Sequence, residues 1–135
     1  YKISTSKYGE GSEEGSNKTP LGAHYIKDYI GKDIDSLTIF RNRKPINKKT
    51  EIIKEHKSSD EDIISSRILW LEGLEEGKNK GENIDTYQRY IYIHGTNEEG
   101  MLGKKSSHGC IRMGNSDIID LCSKEICNIF VYISK

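Results

Sequence analysis

The stretch Arg89-Tyr90-Ile91-Tyr92-Ile93-His94 decides how the rest of the chain is read. Its run from Tyr90 to Ile93 is β-branched and aromatic without interruption, the composition of a buried strand. Working outward, Arg67 to Leu71 is a second strand, apolar on both faces at Ile68-Leu69-Trp70-Leu71. Ile129 to Ile133 is a closing strand. Shorter candidates are Tyr1 to Ser6, His24-Tyr25-Ile26 after the turn signal Thr19-Pro20-Leu21-Gly22, and Ser36 to Phe40. One helix is predicted, with Asn115 as its N-cap and Ile118, Leu121, Cys122 and Glu125 on one face. Loops of Gly, Ser, Glu and Lys occupy Gly9 to Gly15 and Gly73 to Glu82. The polar, Lys-rich segment from Asn42 to Ser59 is an excursion with one short helix and a solvated charged face, part of an insertion spanning 42–66. Many short strands and one or two short helices predict a mainly β, sandwich- or barrel-like fold.

The 135 residues suit one domain, 1–135. Twenty-one basic and 21 acidic side chains cancel. That balance argues against a chain that coats nucleic acid or an anionic membrane surface. Hydrophobic residues make up 33%, enough for one core. No stretch approaches the roughly 20 apolar residues of a membrane span. No apolar leader is present, so the sequence neither supports nor excludes export. The three cysteines are an odd number, so at least one thiol stays free or pairs between molecules.

His94 to Arg112 is where chemistry concentrates. His94 ends the strongest strand, Gly95-Thr96 follow, and Cys110 arrives within Ser106-Ser107-His108-Gly109-Cys110-Ile111-Arg112-Met113. A thiol becomes a useful nucleophile when an imidazole or a set of dipoles favours its thiolate. Gly109 removes a side chain where a carbonyl must approach and leaves N–H groups to face a developing oxyanion. A lone Cys is more often a small buried hydrophobe, and a lone His at a strand end is usually structural. The clustering of two His, one Cys, one Arg and several Gly within nineteen residues shifts that balance.

His94-Gly95-Thr96 and Ser107-His108-Gly109-Cys110-Ile111-Arg112-Met113 together resemble the signature of the L,D-transpeptidase catalytic domain of bacterial cell-wall enzymes. Ser4-Thr5-Ser6, Thr19-Pro20-Leu21-Gly22, Trp70-Leu71, Arg89 to His94 and Asp117 fall in the family's order. The resemblance covers Tyr1 to Ile133 apart from the polar excursion. It implies a β-sandwich-like fold carrying a cysteine acyltransferase that uses no metal and no cofactor. Its partners would be peptidoglycan stem peptides, donor and acceptor. Cys110 would attack the peptide bond before the terminal D-Ala of a tetrapeptide stem, and an amine would resolve the thioester. Water in place of the amine would give an L,D-carboxypeptidase, and loss of Cys reactivity a wall-binding module. By the same resemblance, His94 is the general base and the Gly95 carbonyl orients it. N–H groups around Gly109 and Cys110 form the oxyanion hole. His108 and Ser107 line the substrate site, and Arg112 stands where the family often has Asn. Arg112 would grip a stem carboxylate or pair with a local acid such as Asp117. The loop of twelve residues between His94 and Ser107 is short for the family. The family's opening strands and any export signal are expected upstream of Tyr1, with the mature protein periplasmic or wall-associated.

The remaining candidates have plainer readings. Cys122 packs in the core, and Cys127, five residues on, is badly placed for a disulfide with it inside a helix. His24 could face the cleft, and His56 is exposed. Trp70 is core or groove wall, and Lys104 and Lys105 are solvated. A zinc site from His94, His108 and Cys110 is disfavoured, because no Cys-x-x-Cys or His-x-x-x-His unit supports it.

Overall fold

A computed structural model describes residues 1–126 and 128–135. Cys127 lies outside the described residues, so the expectations for it end here. The strands are β1 (Ile3–Ser4), β2 (Gly22–Ile30), β3 (Thr38–Arg41), β4 (Lys44–Lys49), β5 (Ile64–Gly73), β6 (Tyr92–Thr96), β7 (Ile111–Met113) and β8 (Phe130–Ile133). Among the described residues one helix, α1 (Asn115–Cys122), and one 3-10 turn at Glu99–Met101 complete the elements. All eight strands belong to one sheet, curled into a half-barrel, with the path β1-β7-β6-β5-β2-β8. β3 branches off onto β5 and carries β4 as a hairpin. Every pairing is antiparallel except β6 with β7.

The mainly β class read from the sequence is the observed one. Several boundaries move. The opening strand shrinks to Ile3–Ser4. The strand predicted over Arg89 to His94 starts only at Tyr92. Tyr90 is turned out at a φ of 57°, a left-handed conformation that no propensity for strand can supply. The polar excursion holds β4 instead of a helix. Asn42 and Arg43, at φ 49° and 63°, form the two-residue turn that twists a hairpin correctly. β5 begins at Ile64, so the last residues of the predicted insertion belong to the sheet. The helix N-cap is Gly114, without a side-chain cap. Asn115 is the first helical residue and its amide serves the core.

Alternation along the central strands splits the apolar residues between two faces. Leu69, Leu71, Ile93, Ile111 and Met113 point to one side and build the main core with Ile26, Ile91, Ile118 of α1, and Ile126. Their neighbours Ile68, Trp70, Tyr92 and Cys110 point to the other side, joined by Phe40 of β3. The helix therefore covers one face of the sheet and leaves the opposite face for the hairpin and the loops. Cys122 packs partly buried against the main core. His24 is fully buried rather than facing a cleft. Its ring nitrogens sit 3.0 Å from the Gly22 carbonyl and 3.0 Å from Thr86 Oγ1.

Candidate active site

The parallel pair β6–β7 fixes the site. Its register sets His94 opposite Arg112, with Ile93 opposite Ile111. Side chains two apart share a face, so Tyr92 and His94 stand beside Cys110 and Arg112 on the face away from α1. A parallel pair needs a long connection, and here residues 97–110 supply it, carrying Glu98, Ser107, His108 and Gly109 past the strand ends. All seven residues singled out from the sequence are brought together by this one crossover.

His94 is 1% exposed. Its Nδ1 lies 2.7 Å from the Gly95 carbonyl. A carbonyl only accepts, so Nδ1 carries the proton and Nε2 keeps its lone pair. Burial pulls the imidazole below its ordinary range. The Asp62 carboxylate and the Gly95 bond oppose that shift, and Arg112 adds to it. The ring is therefore neutral near pH 7. Gly95 has to be glycine, because a Cβ there would sit 2.5 Å from the Ser65 carbonyl and 2.7 Å from Asn115 Oδ1. Those neighbours are drawn in by the bulge in β5 at Ser66, whose φ is 67°. Ser65 and Ser66 each donate to Asn115 Oδ1 at 2.6 Å, and Asn115 Nδ2 donates to the Thr96 carbonyl at 2.8 Å. The start of α1 thus clamps β5 and β6 directly behind the histidine.

Cys110 is half-buried. Its Sγ accepts from the Tyr92 N–H at 3.3 Å and donates to the Tyr90 carbonyl at 3.4 Å. Burial pushes the thiol up to about 12, against the bond from Tyr92, with Asp62 adding to the rise and Arg112 and Arg89 opposing it. The resting thiol and the resting imidazole are both neutral. Gly109 adopts a φ of 126°, which side chains rarely take. Its carbonyl accepts from Thr19 Oγ1 at 2.9 Å and its N–H makes a long 3.3 Å bond to Ser107 Oγ. Ser107 is buried, and its hydroxyl donates to the Cys110 carbonyl at 2.6 Å. It braces the turn that presents the cysteine.

Arg112 is 2% exposed and engaged on two sides. Nη1 donates to Glu98 Oε2 at 2.7 Å, and Nη2 to Asp62 Oδ1 at 2.6 Å. Its partners are these two acids rather than Asp117. Asp62 Oδ2 lies 3.2 Å from His108 Nδ1. Burial alone would raise the Asp62 carboxyl. Its interactions with His94 and Arg112, with the bonds from Arg112 and His108, hold it below the ordinary carboxylate range. His108 is exposed and lines two small clefts. One, about 180 Å³, is shared with Arg89, Tyr90 and Ile91; the other, about 170 Å³, with Lys7, Asp62 and Arg112. A larger concavity of about 590 Å³ under the β3–β4 hairpin contains none of these groups.

A family model described as the L,D-transpeptidase catalytic domain matches residues 1–124. The chain belongs to the L,D-transpeptidase catalytic domain family. Similarity to curated relatives is local. A Bacillus subtilis protein named "Putative L,D-transpeptidase YkuD" is 58% identical over 36 residues, 27% of this chain and 22% of that protein. Its namesake from Bacillus licheniformis is 55% identical over 36 residues, with the same shares. The aligned stretch thus spans about a fifth of each relative. L,D-transpeptidase domains act on peptidoglycan. No helix among the described residues is long and apolar enough to cross a membrane.

Two acids of this cluster escaped the sequence reading. Glu98 and Asp62 are the acids on Arg112, and Asp62 comes from the polar excursion. Nothing periodic marks it within Ser59-Asp60-Glu61-Asp62. The excursion reaches the site because Ile53 N–H donates to the Asn97 carbonyl at 2.8 Å and Ser59 N–H to Glu98 Oε1 at 2.7 Å. Much of the segment is exposed, as its charge foretold, but this edge of it is tied to the crossover.

Proposed function

We propose that this domain is a cysteine L,D-transpeptidase that acylates itself on a peptidoglycan tetrapeptide stem and passes the acyl group to an amine. The observation that carries the reading is the His94 tautomer. Nδ1–H is committed to the Gly95 carbonyl, and the basic Nε2 belongs to a residue that shares its sheet face with Cys110. A carbonyl here fills the orienting role that a carboxylate plays in better-known triads.

The thiol proton leaves the Tyr90 carbonyl for His94 Nε2 as Sγ attacks the carbonyl carbon of the third stem residue. The carbonyl π electrons move onto oxygen, which the N–H groups of Gly109 and Cys110 receive. Giving up the 3.3 Å bond to Ser107 Oγ costs little at that length. The tetrahedral intermediate collapses, the C–N bond breaks, and the D-Ala amine takes the proton from His94. A thioester remains. An incoming amine attacks it, His94 accepts the amine proton, and the C–S electrons return to sulfur, which is reprotonated. Arg112 and Asp62 hold charge beside His94 and His108 rather than meeting a stem carboxylate directly. Work on peptidoglycan would place the mature protein outside the cytoplasmic membrane.

The test is incubation with a tetrapeptide-stem muropeptide. D-Ala release and a thioester mass on Cys110 are expected, with crosslinked dimers among the products and neither signal from Cys110→Ala. Tripeptides without dimers would move the assignment to an L,D-carboxypeptidase. A folded wild type that neither releases D-Ala nor forms the adduct would overturn it.

A further inference from the structure

An arginine stands on an aromatic shelf beside Cys110 without an acid to pair with. Arg43 occupies the tip of the β3–β4 hairpin. Its guanidinium carbon lies 5.1 Å from the Trp70 ring centre and 5.1 Å from that of Tyr90. Trp70 is held in turn by stacking on Tyr87 at 4.1 Å and by donating its indole N–H to the Tyr87 carbonyl at 3.0 Å. The shelf is therefore rigid, and the cation rests on it by attraction to the ring faces. Arg43 is half-buried, and no carboxylate pairs with it among the described residues. Nη1 makes a single long bond, 3.3 Å, to the Tyr92 hydroxyl.

A guanidinium has five N–H donors directed outward in its own plane. Contacts with ring faces leave that edge open, and the edge matches the two oxygens of a carboxylate. Two residues tie the shelf to the chemistry. The backbone of Tyr90, whose ring lies under Arg43, accepts from Cys110 Sγ, and the backbone of Tyr92, whose hydroxyl meets Arg43, donates to the same sulfur. Tyr90 holds a φ of 57° and is 53% exposed, so its ring and its carbonyl are both turned toward this corner. Neutral overall charge makes such a placed cation more selective, because no general basic field competes with it.

Resting on the transpeptidase reading above, we propose that Arg43 is a substrate-binding residue that grips one carboxylate of the acyl-donor stem peptide, close to the residue whose carbonyl Cys110 attacks. The hairpin then acts as an arm that carries a carboxylate receptor to the rim of the site. Arg112, buried and already paired with Glu98 and Asp62, does not reach the surface for this work.

Trp70 is the single tryptophan of the chain and reports on the shelf directly. The experiment titrates a synthetic tetrapeptide stem into the Cys110→Ala protein and follows Trp70 fluorescence, so that binding is read without turnover. Adding Arg43→Gln should weaken binding tenfold or more, and Arg43→Lys should recover only part of the loss. Stems in which each free carboxylate is converted in turn to a carboxamide locate the contact. One of them should bind both proteins equally weakly, and that carboxylate is the one Arg43 holds. Equal affinity with and without Arg43, in a protein that otherwise transfers the stem, would overturn the inference and leave the transpeptidase reading standing. A tenfold loss shared unchanged by every amidated stem would also overturn it, since Arg43 would then act only by seating the hairpin. Arg43-dependent binding in a wild type that never forms a thioester would sink the proposed activity and keep the carboxylate site. Absence of any binding, with far-UV circular dichroism unchanged, would count against both.

Discussion

Alkylation of Cys110 by iodoacetamide should be slow at neutral pH and should accelerate steadily into the alkaline range. Burial lifts the thiol from its ordinary value of about 9 to about 12. At pH 7 the thiolate fraction falls from about one in a hundred to about one in a hundred thousand, a thousandfold loss. A more basic thiolate is intrinsically more nucleophilic, and a Brønsted coefficient of about 0.4–0.5 over three units returns about twentyfold. The net expectation is alkylation about fiftyfold slower than that of an exposed thiol, rising close to tenfold per pH unit with no plateau below about pH 10. The assay is peptide mapping by mass spectrometry of the Cys110 peptide at timed quench points, which keeps Cys122 and Cys127 from confusing the reading. A rate that matches or exceeds the free thiol at pH 7 and levels off below it would show a preformed thiolate–imidazolium pair. That result would refute the neutral-pair reasoning, and with it the claim that His94 must take the proton during attack.

Other tests follow from the charges and contacts around the pair. Glu98→Gln should cost about 3 kcal/mol in urea denaturation, because it leaves Arg112 buried with one acid instead of two. Asp62→Asn should cost about 1 kcal/mol or less, since its side chain is 38% exposed and solvent screens the pair; equal losses would contradict the burial argument. Asp62 has a folded-state value below its ordinary one, so its contribution is full above about pH 4 and is lost as pH falls. The Asp62→Asn protein should therefore show a shallower loss of stability on acidification than the wild type, as read by thermal unfolding between pH 5 and about pH 2. Gly95→Ala should destabilise by about 1–3 kcal/mol and abolish D-Ala release. Its new methyl meets Ser65 and Asn115 and displaces the strand that carries His94; a variant of wild-type stability and rate would show that the clamp has slack.

The amino-acid sequence alone determined the class of fold and the cluster of chemistry. The uninterrupted apolar run Ile68–Leu71 and the β-branched and aromatic run Tyr90–Ile93 are the composition of strands buried in a sheet. Nineteen residues from His94 to Arg112 held every group singled out, because a strand, a crossover and a second strand are contiguous in the chain. The sequence misplaced the start of β6 and the nature of the excursion, since both turn on left-handed residues, Tyr90, Asn42 and Arg43, that are not glycine. Asn42 suits such a conformation by residue type, but at Tyr90 and Arg43 it is imposed by neighbours and leaves no local signature. Tertiary structure alone decided what surrounds the pair. It set His94 against Arg112 by the parallel register, closed Arg112 between Glu98 and Asp62, and laid Arg43 over Trp70 and Tyr90. Asp62 and Arg43 reach the site from a segment whose composition spells only solubility. Charge partners are chosen by position in space, and periodicity carries no record of a contact made across fifty residues of chain.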